Sequence, residues 1–390
     1  MKNDVKNLAL NQPSLIERFF LSLVSSHSSN SGNVAFLEDR VDLVKKMLSI
    51  ERGFMFRGAL AGALCGCFCA LGVELAEPFW VDSPSTFTEL IPYYSLSLGI
   101  GAIATLFEIA FLFWDGARSS INIGSLTGVL SEEENEHLEK MELSLLRAGL
   151  ESPPPSDVWN GIDPLLGANR FRIIASAIIY KLKIAATSAL IKGLFRKIVV
   201  RLSGRAISRS VVELAAIPVF ALWNLFICRK VMKEARLRAL GPYLVEEIYS
   251  VVFPNGFKSL SEALQQSCII AIKDQIIATN RRHPNVARLG NRIFLNADLD
   301  LPTIMAAEDV SSTASRLTAS EQKWVFEFLL FICVLDGRIC PKERRMLKKW
   351  ASVMAVDFTN SEIRSSEYIK SFMEDGSIKG VLTSNLLAIS

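Results

Sequence analysis

Histidine is scarce in this chain of 390 residues, and His27, His137 and His283 lie far apart. We find no Walker loop, no nucleophile elbow and no zinc-protease helix. The sequence therefore predicts a protein that is not an enzyme. The formal net charge of only +3 excludes a strongly basic nucleic-acid binder. The basic stretch 281–292 lacks interleaved aromatic residues, so no nucleic-acid partner is expected.

A cleavable signal peptide is not expected either. Residues 1–29 contain no long apolar run behind a basic start, and Glu17 and Arg18 interrupt their apolar positions. The seven cysteines are odd in number and scattered, mostly inside apolar runs, which does not suggest a disulfide framework. A reducing compartment is the simpler setting for such a chain.

Three cysteines, Cys65, Cys67 and Cys69, occupy five positions of one apolar stretch. Successive residues of a helix point about 100° apart, so Cys65 and Cys69 share a face and Cys67 points nearly opposite. Three ligands on one straight helix cannot converge on a zinc ion. We therefore expect these cysteines to act as small packing residues.

Long apolar runs are what the sequence has in abundance, since half of its residues are apolar. Residues 53–75 are apolar except for Arg57 and Glu74, and residues 92–114 are interrupted only by Glu108. Each run is long enough to cross the bilayer core as a helix. The two runs predict a transmembrane hairpin over residues 53–114.

The basic residues around this hairpin lie before its first run and after its second run, and not in the connector between them. Lys45, Lys46 and Arg52 precede the first run and Arg118 follows the second, whereas the connector contains no lysine or arginine. Cytoplasmic segments carry the excess of basic residues, so both termini are predicted to be cytoplasmic. The expected location is a bacterial inner membrane.

Gly58, Gly62 and Gly66 recur every four residues and form what we call the glycine face of the first run. Small residues in such a row allow close approach of another backbone. The favoured partner is the second run, which offers Gly99 and Gly101. The alternative partner is a second copy of the chain, which would make the protein a homo-oligomer.

An ion pair is predicted inside the hairpin. Arg57 lies four residues from the inner end of the first run, and Glu108 lies six residues from the same end of the second. Charged groups below the interface are costly unless they are paired or reach the interface. The similar depths therefore predict that Arg57 binds Glu108.

The remaining chain also has helical patterning, so the predicted fold is mainly α, an N-terminal transmembrane helical hairpin plus a helical cytoplasmic region. Basic residues lie on all sides of the apolar stretches in 173–228, which favours helices that lie on the cytoplasmic membrane surface or pack together over inserted helices. The predicted segments are 1–52 (cytoplasmic helices), 53–114 (hairpin), 115–165 (capped helix and Pro-rich linker), 166–248 (basic helical pair), 249–316 (helical connector) and 317–390 (helical module).

The C-terminal module has two helical patterns joined by a turn, in LTASEQKWVFEFLLFICVLDGRICPKERRMLKKWASVMAV. Thr318 and Glu321 have capping-box spacing, and Pro341 is a natural first helical residue. The turn at Asp336 matches the second half of an EF-hand calcium loop, but apolar residues occupy the positions of that loop's first ligands. Residues 317–356 more closely resemble the TerB-like domain of tellurite-resistance and stress proteins.

The resemblance implies an all-helical cytoplasmic module in which Asp336 and Glu343 could bind a divalent metal; no other cofactor is expected. The alternative, which we favour, is structural. Asp336 ends one helix, and Glu343, the third residue of the next, interacts with the free amides at its start.

These patterns predict a membrane-anchored, non-enzymatic scaffold or envelope-stress sensor whose partners are membrane lipid and a protein bound at the cytoplasmic module. The alternative is a protein that oligomerises or forms a pore through the glycine face. An enzyme that reaches lipid through interfacial helices is a third and less favoured reading.

Overall fold

The computed structural model describes residues 17–19, 22, 40–81, 86–128, 141–151, 158–164, 209–297 and 310–377. This part of the chain is helical and contains no β-strand. The helices are α1 (Arg40–Ala76), α2 (Ile91–Leu126), α3 (Met141–Gly149), α4 (Arg209–Val252), α5 (Glu262–Thr279), α6 (Pro284–Phe294), α7 (Val310–Ala314), α8 (Ala319–Val334), α9 (Pro341–Val353) and α10 (Phe358–Asp375).

The chain divides into two compact units. Unit 1 comprises Met1–Leu48, Ser120–Ala168 and Glu234–Ser390, and unit 2 comprises Ser49–Ser119 and Asn169–Lys233. Helices α1, α2 and α4 each contribute residues to both units. The named elements of both units are all helices, so the mainly helical class predicted from the sequence is confirmed.

Unit 2 contains the apolar parts of α1 and α2, and both helices are long and apolar enough to cross a membrane. No residue in the most apolar 18-residue stretch of α2 is buried. The third described α-helix of this unit is the first part of α4, up to Lys233; two short 3-10 helices, Glu77–Phe79 and Phe87–Leu90, lie between α1 and α2. The first of the two predicted basic helices lies outside the described residues.

Unit 1 is built around α8, whose residues from Val325 onward are all buried. A helix that is apolar around its whole circumference must be covered on all sides. Helices α5, α9 and α10 pack against it. Glu327 is the acid within this buried run, and its carboxylate binds the Tyr368 hydroxyl and, at 2.6 Å, the Arg364 guanidinium. The acid thereby links α8 to α10.

Local signals at the helix ends are reproduced. The Thr318 side chain and Glu321 form a reciprocal capping box at the start of α8, and Pro341 begins α9. Helix α3 lies in the segment predicted to hold a capped helix and ends at Gly149. The start of that predicted helix lies outside the described residues.

Candidate functional site

In unit 2, Arg57 binds Asp115 rather than Glu108. Arg57 Nε lies 2.7 Å from Asp115 Oδ2, Nη2 lies 2.9 Å from Oδ1, and Nη2 also lies 3.3 Å from Ser119 Oγ. Asp115 is seven residues beyond Glu108, about 10 Å further along the helix. The contact therefore lies just beyond the second apolar run, which ends at residue 114. The structure thus differs from the predicted pair.

Glu108 instead binds Asn224 of α4. Asn224 Nδ2 donates to Glu108 Oε1 at 2.6 Å and to the backbone oxygen of Gly58 at 3.1 Å. Asn224 is 5 % exposed. One amide therefore connects the three α-helices that the structure describes in unit 2, and side-chain hydrogen bonds of this kind join helices in apolar surroundings.

The glycine face packs most closely against α4, although a Cβ atom at Gly58 would also lie 3.5 Å from Cδ2 of Leu112 in the second run. A Cβ atom at Gly62 would lie 2.6 Å from the backbone oxygen of Phe220, and one at Gly66 would lie 3.1 Å from Cα of Ile217. A Cβ at Gly58 would overlap Cys228 Sγ. These approaches exist only because the three positions lack side chains.

The glycines of the second run do not meet the glycine face. A Cβ at Gly99 would find open space, and one at Gly101 would meet only Cys69 Sγ, at 3.7 Å. Close contact between α1 and α2 occurs elsewhere, where a Cβ at Gly72 would lie 3.0 Å from Cβ of Ile100. The expected meeting of the glycine face with Gly99 and Gly101 is not observed, because residues of a third helix, α4, lie against that face.

The three clustered cysteines are placed as helix geometry requires. Cys65 is buried, Cys67 is exposed and Cys69 is intermediate, and none forms a disulfide. Cys65 Sγ lies 3.9 Å from Thr105 Oγ1 of α2. Cys67 lies on a different face of α1 from Cys65 and Cys69, so the three thiols do not converge on a common point.

In unit 1, Glu343 caps α9 with Cys340. Glu343 Oε2 accepts from the Cys340 backbone amide at 2.8 Å, and the Cys340 thiol accepts from the Glu343 amide. The other oxygen, Oε1, accepts from Gln275 Nε2 of α5 at 2.9 Å. Glu343 is fully buried, and each of its carboxylate oxygens has a protein donor.

Asp336 is also buried and has donors of its own. Oδ2 lies 3.4 Å from Arg281 Nη2, and Oδ1 accepts from the Arg338 amide at 3.2 Å. Burial, followed by the negative charge of Glu343, raises the pKa of Asp336 to about 7, although His283 and the two arginines oppose this shift. A deprotonated Asp336 is therefore costly to the folded state.

A second buried network joins α4 to α6. Glu234 binds Arg238 Nε at 2.9 Å and His283 Nε2 at 3.2 Å. Burial opposes ionisation of Glu234, but the charges and hydrogen bonds of Arg238 and His283 outweigh it and hold the pKa below its ordinary value. Asn285 completes the network by donating to the backbone oxygens of Leu237 and Leu335, at 3.1 and 3.0 Å.

These acids do not assemble into a metal centre. Within the described ranges, no group of three or more histidine, cysteine, aspartate and glutamate side chains is placed to hold a metal ion. The two predicted ligands, Asp336 and Glu343, serve as a turn residue and a helix cap, in agreement with the structural alternative.

The polar residues that join helices were not identified from the sequence. Asn224, Gln275 and Asn285 are each at most 5 % exposed. The available signal was an amide side chain inside an apolar helical pattern, which is expensive unless it finds a partner. The identity of that partner depends on contacts distant in sequence.

Comparison of the chain with protein-family models, with curated proteins and with solved structures finds no match.

Proposed function

We propose that the protein is a membrane-anchored helical scaffold or sensor without enzymatic activity. In this proposal α1 and α2 cross the inner membrane as a hairpin, both termini are cytoplasmic, and the helices of unit 1 recruit a protein partner. The observation that carries it is the large amount of apolar surface that unit 2 exposes.

That surface extends along both helices of the hairpin. Phe56, Phe68, Leu98 and Phe107 are each more than half exposed, with Phe107 at 73 %. Further apolar side chains on the same helices are at least half exposed, among them Leu60, Leu64, Leu75, Ile103 and Leu106. Soluble proteins rarely expose contiguous apolar patches of this extent, whereas a bilayer would cover them without cost.

The polar groups of unit 2 support the same proposal. Asp115 is 4 % exposed at its side chain and is paired with Arg57, and Glu108 binds Asn224. Arg57, Glu108 and Asp115 thus each have a partner within the unit, as charged groups below a membrane interface require.

The packing of the glycine face favours an anchor over a pore. Phe220, Asn224 and Cys228 of the same chain occupy that face. A second copy could reach the glycines only if α4 moved away. We therefore rank glycine-mediated oligomerisation and pore formation second.

We further propose that residues 317–356 form a TerB-like module with a partner-binding role. The support is architectural, since two capped helices, α8 and α9, meet at a turn in which Gly337 has φ of +72°. Such a backbone conformation strongly favours glycine.

Protease protection in spheroplasts tests the proposal. Full-length protein with an epitope at either end is separated into membrane and soluble fractions, and intact spheroplasts are treated with protease. We expect the protein in the membrane after alkaline carbonate washing, with both epitopes protected until the membrane is permeabilised. A cleaved epitope in intact spheroplasts would refute the orientation, and recovery in the soluble fraction would refute the anchor. Leakage of dye from liposomes at low protein density would favour the pore.

A further inference from the structure

A groove in unit 1 lies between α9 and α10 and has a volume of about 580 Å³. Apolar side chains form much of its lining, among them Leu330, Leu347, Phe358 and Ile363. Leu330 and Leu347 are buried and form its base, whereas Ile363 is 58 % exposed. The groove therefore presents a concave apolar surface to solvent.

Cations dominate the rim of this groove. Arg344 and Lys370 line it, opposed by one acid, Glu367. The Lys348 ammonium lies 5.5 Å from the centroid of the Phe358 ring, which is part of the lining. A cation placed over an aromatic ring remains able to attract an anion from outside.

Helix α9 extends this positive charge beyond the groove. Its only acid, Glu343, is buried, while its basic residues are all exposed: Lys342, Arg344, Arg345, Lys348 and Lys349. Within the described residues, neither Arg345 nor Lys348 forms an ion pair; Arg345 Nε contacts the Pro341 backbone oxygen. The net charge of this face is strongly positive although that of the whole chain is close to zero.

The combination of shape and charge distinguishes between two classes of anionic partner. A bilayer surface is too flat to fill a concave apolar groove, whereas a side chain of a helical peptide can enter it. Helix α9 has 13 residues, a length of about 20 Å. A helical segment of about a dozen residues would match it.

We propose that the groove between α9 and α10 binds an acidic amphipathic segment of a partner protein. Apolar side chains of the segment enter between Leu347, Phe358 and Ile363, and its carboxylates pair with Arg344, Lys370 and Lys348. This inference deepens the proposed function, because it names the surface and the chemistry by which the scaffold recruits its partner.

Selection from a library of random 12-residue peptides tests the inference. The full chain is reconstituted in nanodiscs of phosphatidylcholine, and one selected peptide is synthesised with a fluorophore for polarisation measurements. We expect the selected peptides to be acidic with apolar positions at helical spacing. Replacing Arg344→Glu and Lys370→Glu together should weaken binding by about tenfold or more. Ile363→Ser should also weaken binding, and since all three side chains are exposed, the fold should tolerate the changes.

Lys323→Glu is the matched control. Lys323 is exposed on α8, seven residues before Leu330, and its reversal changes the net charge without touching the groove, so the affinity should be unchanged. The inference is overturned if the selected peptides are not acidic, if no peptide is enriched, or if the double reversal leaves binding intact. Vesicles containing phosphatidylglycerol form the second arm. If the protein binds these vesicles, if the double reversal abolishes that binding and if no peptide is enriched, the face binds lipid and the inference is refuted.

The selection can be scored whatever the outcome of protease protection, because a chain recovered in the soluble fraction is used in the selection without nanodiscs. A chain that leaves the membrane yet selects acidic peptides would refute the anchor and preserve the groove. A chain that is anchored as proposed but selects no such peptide would refute the groove alone.

Discussion

The guanidinium of Arg57 and the carboxylate of Asp115 form a two-point contact, with N to O distances of 2.7 and 2.9 Å, between helices α1 and α2. Such parallel hydrogen bonds between charged groups are among the strongest polar contacts in proteins. The carboxylate is almost fully buried, and the guanidinium is 45 % exposed. The contact joins the two helices near one end of the apolar run.

Asp115→Asn should destabilise unit 2 by about 1 to 2 kcal/mol, because the contact between the buried carboxylate and the half-exposed Arg57 guanidinium loses its negative charge. Thermal unfolding of the purified protein in detergent measures the effect. Glu108→Gln should cost less, since the glutamine oxygen can still accept from Asn224. A larger loss for Glu108→Gln than for Asp115→Asn would show that Glu108 and not Asp115 is the partner of Arg57.

Gly62→Ala should destabilise the contact between α1 and α4. The new methyl group would lie 2.6 Å from the Phe220 backbone oxygen, and relieving such overpacking typically costs about 1 to 3 kcal/mol. Gly99→Ala is the control, because its methyl group would meet no atom within 4 Å. That variant should be neutral or more stable, since alanine is the better helix former. Equal melting temperatures for the two variants would argue against the observed packing.

The stability of the protein should fall as the pH rises toward 7, in part because of Asp336. Its pKa is raised to about 7 in the folded state from an ordinary value of 3.8. Between these values the folded state holds more protons than the unfolded state, so raising the pH favours unfolding; above about 7 the dependence on this group ends. Glu234 acts in the opposite direction, with stability lost as the pH falls below its ordinary value of 4.5.

Denaturant unfolding of the full chain between pH 5 and pH 8 measures this dependence, since the contribution of Glu234 is constant there. Burial also raises the pKa of Glu327, so the contribution of Asp336 is isolated by comparison with a variant in which Glu327 is unchanged. Asp336→Asn should flatten the profile by up to about 1.4 kcal/mol per pH unit. The neighbouring charges of Arg281, Arg338, His283 and Glu343 are retained in the variant, so their contributions remain in both profiles. Identical slopes for the variant and the natural chain would rule out a raised pKa for Asp336.

Divalent cations should not bind stoichiometrically at the turn between α8 and α9. Both carboxylate oxygens of Glu343 and both of Asp336 already accept hydrogen bonds from protein donors. Equilibrium dialysis of the full chain against calcium, manganese and zinc measures the uptake, with Glu343→Gln as the comparison. Uptake of one ion per chain that disappears in this variant would restore the metal site implied by the TerB-like resemblance.

Features that depend on nearby residues could be predicted from the sequence. The capping box of Thr318 and Glu321 and the start of α9 at Pro341 were identified because each involves residues within one helical turn. The same holds for the three clustered cysteines, because helix geometry directs the exposed Cys67 away from the face that Cys65 and Cys69 share. The mainly helical class and the two long apolar helices follow from periodicity and composition alone.

The sequence by itself therefore determined which segments are helical, where several of them begin, and which two are apolar enough to cross a membrane. Only the tertiary structure decided which residues meet across helices, namely Arg57 with Asp115, Glu108 with Asn224, and Gln275 with Glu343. The reason is physical. Local periodicity determines which face of a helix carries apolar or small residues, but more than one helix of the chain could pack against that face. The choice between them depends on side-chain reach and on packing between residues that lie far apart in the chain.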